Sequence, residues 1–167
     1  MGASSGASFE DVLRDHGPAL WRVIASYAPP GADRDDLAQD VLLAVWQARQ
    51  RFRGESSLKT FVLRIAHNRG LSLAWKRAKR PPPSELDDVP DPRPGPDELA
   101  ATNQRSERFF RHLRALPLGQ RQVLALALEG VPHAEIAVIA DITPENVAVR
   151  LGRARDALRR SLETEAP

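Results

Sequence analysis

Residues 51–61 read RFRGESSLKTF, setting cationic and aromatic ends around a small polar middle, Gly54-Glu55-Ser56-Ser57. A carboxylate accepts hydrogen bonds, and hydroxyls both donate and accept. The stretch is therefore either a plain interhelical turn or a pocket that holds a polar partner. It lies in the most cationic part of the chain. From Arg49 to Arg80 ten lysines and arginines face one acid, Glu55, although the formal net charge of the whole chain is only +2. Charge concentrated in this way is the footprint of a nucleic-acid binder; the competing reading is a solvated helix face. Catalysis has no comparable support. There is no nucleophile-base pair and no phosphate loop, and His16, His67, His112 and His133 lack metal-ligand spacing such as H-E-x-x-H. Surface or cap positions are expected for all four. With no cysteine there is neither a disulfide framework nor a thiolate metal site. The expectation is a non-enzyme without metal or cofactor.

A second group of chemistry-bearing residues lies near the C-terminus. Ala134–Ala140 fits a short helix, and Asp141-Ile142-Thr143 a tight connection. Thr143 suits an N-cap and Pro144 a first helical position. The next helix is expected from Pro144 to about Arg160, with Val147, Leu151, Ala154 and Leu158 as its core face. This is a helix-turn-helix pattern, whose second helix enters the DNA major groove. Opposite the core stripe lie Glu145, Val149, Gly152 and Asp156, flanked by Asn146, Arg153 and Arg160 on one side and by Ala148 and Arg159 on the other. Arg150 and Arg155 lie nearer the core edge. Asn146 suits adenine, Arg153 guanine, and Ala148 or Val149 a thymine methyl, while Glu145 suits the cytosine amine. Arg159 and Arg160 suit phosphates, which position without specifying. A helical hairpin with no DNA role is the bland alternative.

The elements that must position these residues are all helical. A first helix is expected from Ser8 to Ala28, with Ser8 and Asp11 in near capping-box spacing and a break or kink at Gly17-Pro18. A second is expected from Asp33, as N-cap, to about Gln50, with an apolar stripe of Leu37, Val41, Ala44, Val45 and Ala48. Its other stripe, Asp36, Gln39, Asp40, Leu43 and Gln47, mixes acid, amide and aliphatic groups; a core does not need that mixture, but a protein partner does. A third is expected from a Ser56 or Ser57 cap to about Lys79, with Leu58, Phe61, Val62 and Ile65 toward the core and Thr60, Arg64, His67 and Leu71 opposite. Seven prolines and six acids in residues 81–98 preclude a regular element, so residues 81–97 read as an extended, acidic linker. Beyond it, helices are expected from Asp97 or Glu98 to Ala115 and from Leu118 to Leu128, closed by Gly130. The fold class is all-α: two small helical domains joined by a Pro-rich acidic linker. Apolar residues make up 42% of the chain, enough for compact helical cores. No apolar run approaches the ~18 residues of a membrane span, and Met1–Ser8 does not resemble a signal peptide. The chain reads as soluble and cytoplasmic.

Two blocks carry a family resemblance. The first is Asp36-Leu37-Ala38-Gln39-Asp40-Val41 through Trp46, then Phe52-Arg53-Gly54-Glu55-Ser56, then Arg64-Ile65-Ala66-His67-Asn68. The second is Leu116-Pro117 with Gln120-Arg121, Glu135-Ile136-Ala137, and Val147 through Arg150-Leu151 to Arg153-Ala154-Arg155. In this order they resemble domains 2 and 4 of bacterial RNA polymerase sigma factors of the extracytoplasmic-function (ECF) type, over about Phe9 to Leu162. The resemblance implies domain 2 at 8–80, a linker at 81–97 and domain 4 at 98–163. It implies that the chain binds core RNA polymerase and directs it to promoters, under the control of an anti-sigma factor. Asp36, Gln39, Asp40, Leu43 and Trp46 would meet the clamp helices of the largest subunit, although Trp46 also reads as packing. A flipped base of the −10 element would enter the loop formed by Arg53, Gly54, Glu55, Ser56, Ser57 and Lys59. Arg64, Asn68, Arg69, Lys76 and Arg77 would line the DNA path; for Asn68 a hydrogen bond tying the third helix to the second is the competing role, and Trp75 would either stack on a base or pack on the first helix. Glu145, Asn146, Ala148, Val149, Arg150, Arg153 and Arg159 would meet the −35 element, and domain 4 would dock on the flap of the second-largest subunit.

The chain departs from the family pattern in three places. Phe61 stands where Trp is frequent. Ala148 and Val149 replace a cation and a serine. Gly152 replaces a bulky residue. Specificity at −35 then shifts to Asn146, Arg150 and Arg153, or leans on DNA shape. Two further functions stay open: a sigma mimic that sequesters an anti-sigma protein without touching promoters, and a stand-alone repressor, which would need a dimer.

Overall fold

The computed structural model describes residues 7–81 and 97–165. Its helices are α1 (Phe9–Tyr27), α2 (Ala32–Ala48), α3 (Leu58–Ala78), α4 (Asp97–Ala115), α5 (Leu118–Leu128), α6 (His133–Ala140) and α7 (Pro144–Thr164), with one 3₁₀ turn at Arg49–Arg51. The architecture is the expected all-α, two-domain one. The linker lies almost wholly outside the described residues.

Ser8 and Asp11 form a full capping box: the Ser8 hydroxyl accepts from the Asp11 N–H at 3.1 Å. Helix α1 then runs unbroken through Pro18, contrary to the break expected at Gly17-Pro18. Pro18 removes the N–H that would meet the Arg14 carbonyl, but Arg14 and Pro18 both face solvent, where water can take that carbonyl. The buried Val12, Ala19, Leu20 and Val23 hold the register on either side.

Helix α2 begins one residue before the expected cap. Gly31 is its N-cap, with no side-chain hydrogen bond. Asp33 sits inside the first turn, where the helix dipole favours an acid, and pairs with Arg77 of α3 at 3.1 Å. Leu37, Val41, Ala44 and Val45 are buried as the periodicity requires.

Ser57, one of the two expected candidates, caps α3: its hydroxyl accepts from the Thr60 N–H at 3.0 Å. The buried face of α3 is broader than one stripe, because α1 and α2 both pack on it. It consists of Thr60, Val62, Leu63, Ala66, His67 and Gly70. Thr60 and His67 were expected on the opposite side, and both are buried; Leu58, Phe61 and Ile65 only lean against the core. Gly70 permits the close approach of α1, since a Cβ there would lie 2.4 Å from the Tyr27 ring.

His67 is thus a core residue and not a surface or cap residue. Its Nδ1 meets the Tyr27 hydroxyl at 2.9 Å, and its Nε2 is buried without a partner. Burial lowers its pKa to about 4 from the usual 6.5. The unfolded chain therefore binds the extra proton between these values, so stability falls as the pH drops through that window. Between pH 7 and pH 5 the unfolding free energy should fall by about 2 kcal/mol, and a His67→Gln variant should lose most of that slope. Urea titrations of both proteins at the two pH values check this; equal slopes would contradict it.

In the second domain Leu113, Val123, Leu124, Leu126 and Ile136 pack against Val147, Leu151, Ala154 and Leu158, the four residues expected to form the α7 core face. Helix α7 runs to Thr164, beyond the expected end near Arg160. Its last turn is held to α4, where Glu165 meets Arg108 at 3.0 Å, Arg111 at 2.6 Å and the His112 ring.

The two domains touch through α1 with α4 and α5, and through α3 with α5. The contact is rich in charge. Arg22 grips the buried Glu129 at 2.6 and 2.8 Å. Glu107 receives both Arg34, at 2.9 Å, and Arg114. Arg114 also donates to the Ala25 carbonyl at 2.7 Å.

Candidate nucleic-acid interface

The loop at 52–57 follows the 3₁₀ turn and ends at the Ser57 cap, so both of its ends are fixed by local structure. Gly54 turns it with φ 76°, a left-handed conformation that a side chain would strain. Phe52 and Phe61 pack with ring centroids 5.0 Å apart and form an apolar floor. Arg53, Gly54 and Glu55 stand exposed above it. Ser56 donates to the Ser57 carbonyl at 3.1 Å. Ser57 is occupied structurally: besides capping α3, its hydroxyl donates to Thr60 Oγ1 at 3.0 Å. Arg53, Glu55, Ser56, Thr60, Phe61 and Arg64 line one side of a cavity of about 630 Å³. Cations, an aromatic floor and small polar groups around a cavity of that size form a chemically suitable seat for an unstacked base and its phosphate.

Along α3 the cations divide by their partners. Lys76 is exposed and Lys59 half-buried. Arg69 is paired with Asp40 at 3.3 Å and Arg77 with Asp33 at 3.1 Å. These pairs are substantially exposed and correspondingly weak, so a phosphate can compete for both guanidiniums. Asn68 is exposed, and no side-chain hydrogen bond ties it to α2; with Trp46, Ile65 and Arg69 it lines a second cavity between the helices. Trp75 is 56% exposed.

The mixed stripe of α2 faces solvent throughout: Asp36, Gln39, Asp40 and Gln47 are exposed, as are Leu43 at 55% and Trp46 at 49%. Trp46 is not core packing. Its ring lies under the Arg49 guanidinium at 5.2 Å, which keeps an aromatic–cation pair on the same face as the acids. An exposed leucine and tryptophan among acids and an amide have the composition of a protein interface.

On α7 the Thr143 cap and Pro144 open the helix as expected, and the Asn146 N–H donates to Thr143 Oγ1 at 3.1 Å. Glu145, Asn146, Ala148, Val149 and Arg153 are exposed on one side. Arg159 pairs with Asp156 at 3.1 Å. Arg150 is half-buried and lies over Gly119 of α5, where a Cβ would come within 2.8 Å of its guanidinium. It is braced against its own domain, unlike Asn146 and Arg153.

Sequence reasoning missed Phe52 as floor, Thr60 as a wall residue, and the far wall of the cavity: Ala134, Glu135, Val138 and Ile139 of α6. The Phe52–Phe61 spacing held a usable signal for the floor. Nothing local pointed to α6.

A helical bundle bearing a basic, loop-lined cavity, followed by a helix-turn-helix domain, defines a class of DNA-binding protein that also presents a protein-docking face. Two family profiles match the chain in order: Sigma-70 region 2 over residues 12–80 and Sigma-70 region 4 over residues 106–158. The chain belongs to the sigma-70 family, as a sigma factor of the ECF type. It is similar to the ECF RNA polymerase sigma-E factor of Escherichia coli strain K12, with 29% identity over 81% of this chain and 76% of that protein. The similarity to the RNA polymerase sigma factor CnrH of Cupriavidus metallidurans is also 29%, over 98% of this chain and 92% of that protein. Among solved structures, CnrH in complex with the cytosolic domain of CnrY superimposes with a TM-score of 0.67 at 26% identity, covering 95% of this chain and 89% of that one. The sigma factor RpoE in complex with the anti-sigma factor NepR from Bartonella quintana shares the fold, with a TM-score of 0.68 at 22% identity over 95% and 98% of the two chains.

Proposed function

We propose that this sigma factor carries core RNA polymerase to a specific set of promoters through three surfaces. Asp36, Gln39, Asp40, Leu43 and Trp46 of α2 dock on the clamp helices of the largest subunit. The loop of Arg53, Gly54, Glu55 and Ser56 receives a flipped −10 base, with Arg64, Asn68, Arg69, Lys76 and Arg77 along the strand. Asn146, Ala148, Val149 and Arg153 face the −35 element, while Arg150 and Arg159 brace the helix or meet phosphates. The observation that supports this reading is the cavity of about 630 Å³ lined by Arg53, Glu55, Ser56 and Arg64 together with the packed Phe52 and Phe61 rings. The domain bounds that follow are 8–80 and 98–163. The chain works in the bacterial cytoplasm, without catalysis of its own, and the flap of the second-largest subunit holds its second domain.

Control by an anti-sigma protein is part of the proposal, because one similar solved structure is a complex with such a factor. No helix among the described residues is long and apolar enough to cross a membrane.

Run-off transcription with core polymerase and genomic promoter fragments, followed by sequencing, tests this reading. Transcripts sharing −10 and −35 elements are expected. No transcript, together with tight anti-sigma binding, would replace the reading with that of a mimic. Arg153→Ala should cost about tenfold at a guanine-containing −35 site and relax the preference at that base, in line with ~1–3 kcal/mol for a bidentate contact. Competition binding with single-base −35 variants checks it.

A further inference from the structure

A second cavity, of about 780 Å³, is lined by the last turns of α2, the 3₁₀ turn and the middle of α3, all within the first domain. Arg51 lines both this cavity and the loop cavity, so the two are neighbours. Along α3, Arg64 lines the loop cavity and Asn68 the second one. Four residues of helix rise separate them by about 6 Å.

The lining of the second cavity contains no acid. Arg49, Arg51 and Arg69 bring positive charge, and the amides of Gln50 and Asn68 bring donors and acceptors. Among the described residues neither Arg49 nor Arg51 has an acidic partner, and Arg69 holds only the half-exposed Asp40 at 3.3 Å. The Trp46 indole is 49% exposed, with the Arg49 guanidinium over it at 5.2 Å. The same guanidinium donates to the Trp46 carbonyl, so ring and cation are held as a unit. The charge is opposite to that of the neighbouring α2 stripe, where Asp36 and Asp40 stand exposed. A basic polymerase surface that suits those acids is repelled by three arginines. The cavity therefore suits a different occupant: an anion with a flat aromatic face and polar edges. A nucleotide has all three.

We propose that this cavity is a second nucleotide site, in which an unstacked nucleotide of the melted promoter strand lays its base on Trp46 and its phosphate among Arg49, Arg51 and Arg69. The strand as source rests on the promoter reading given above. The separation of about 6 Å along α3 compares with about 3.4 Å per nucleotide of a stacked strand, so the occupant is one or two nucleotides from the loop-bound base. Stacking on an aromatic ring accepts every base, and cations track the backbone. The site therefore holds the strand open with little demand on sequence, while Gln50 and Asn68 add a preference at the base edge. Trp46 stands where the docking face of α2 ends and the strand begins.

Promoters are first selected from a random library by wild-type protein with core polymerase. Bubble probes of a selected promoter, unpaired across the −10 element, then carry a single abasic site at each position of the non-template strand. For each holoenzyme the result is the ratio of binding to abasic and intact probes, so a loss of polymerase affinity cancels. Wild-type holoenzyme should show two sensitive positions, one or two nucleotides apart, each costing about tenfold. Glu55→Ala/Ser56→Ala should abolish the sensitivity at one of them, and Trp46→Ala at the other only. Trp46 is half-exposed, so its truncation leaves the core filled. Gln50→Ala/Asn68→Ala, which keeps the indole, should flatten the base preference at the Trp46-dependent position. A single sensitive position, or ratios unchanged by Trp46→Ala beside weakened core binding, would overturn the second site and leave Trp46 to polymerase docking alone. Retention of a labelled mononucleotide by the chain alone, with no second sensitive position, would make the occupant a free nucleotide and overturn the strand assignment. Failure of the wild-type protein to select any promoter would overturn the promoter reading itself, and this site with it.

Discussion

Replacing Leu43 with aspartate should lower affinity for core polymerase about a hundredfold while leaving helix content and melting temperature unchanged. Leu43 is 55% exposed and contributes little to its own core, whereas its neighbours Leu37, Val41 and Val45 are buried. Truncating an apolar anchor at an interface centre typically costs ~2 kcal/mol or more. Placing an unpaired carboxylate there adds a desolvation penalty, and ~2.7 kcal/mol corresponds to a hundredfold. The flanking acids Asp36 and Asp40 make the new charge worse, since it joins two of the same sign. Fluorescence titration of labelled variant with core polymerase gives the affinity, and circular dichroism melting gives the control. Unchanged affinity with an intact fold would remove α2 as the docking element.

The double variant Glu55→Ala/Ser56→Ala should reduce open-complex formation about a hundredfold with core affinity intact. Flipping a base out of the duplex costs a few kcal/mol, and the loop must return that energy through bonds to the base edge. Leaving polar base atoms unpaired in the cavity costs ~1–3 kcal/mol for each lost partner, so losing two acceptors reaches this range. Ser57 belongs outside the test. It caps α3 through the Thr60 N–H, and its loss would cost about 1 kcal/mol of helix stability, mixing a folding defect with a recognition defect. Permanganate reactivity of unpaired thymines on a selected promoter measures opening, with core binding assayed in parallel. Normal opening by the double variant would move −10 recognition off this loop.

Helix positions, the cap at Thr143, the four-residue core face of α7 and the solvent-facing stripe of α2 were all legible in the chain, because each depends on signals a few residues apart. Propensity, capping and 3.6-residue periodicity act within one or two turns. The same local reasoning misplaced Asp33 as a cap and broke α1 at Pro18. In both cases the outcome turned on surroundings: a turn at Gly31 that had already started the helix, and solvent around Arg14 that tolerates an unpaired carbonyl.

Sequence alone determined that this is an all-α chain of two domains, that its cations concentrate in residues 49–80, and that its motifs place it among ECF sigma factors. Tertiary structure alone decided three further matters. Packing of both α1 and α2 on α3 widened its buried face, so His67 and Thr60 went inside. Pairing across helices gave Arg69 and Arg77 acidic partners from α2. The meeting of the domains set Glu135 against Thr60, 75 residues apart, and made α6 the far wall of the loop cavity. Such contacts join residues far apart in the chain, so they depend on how whole helices rotate and dock, which no short-range pattern records.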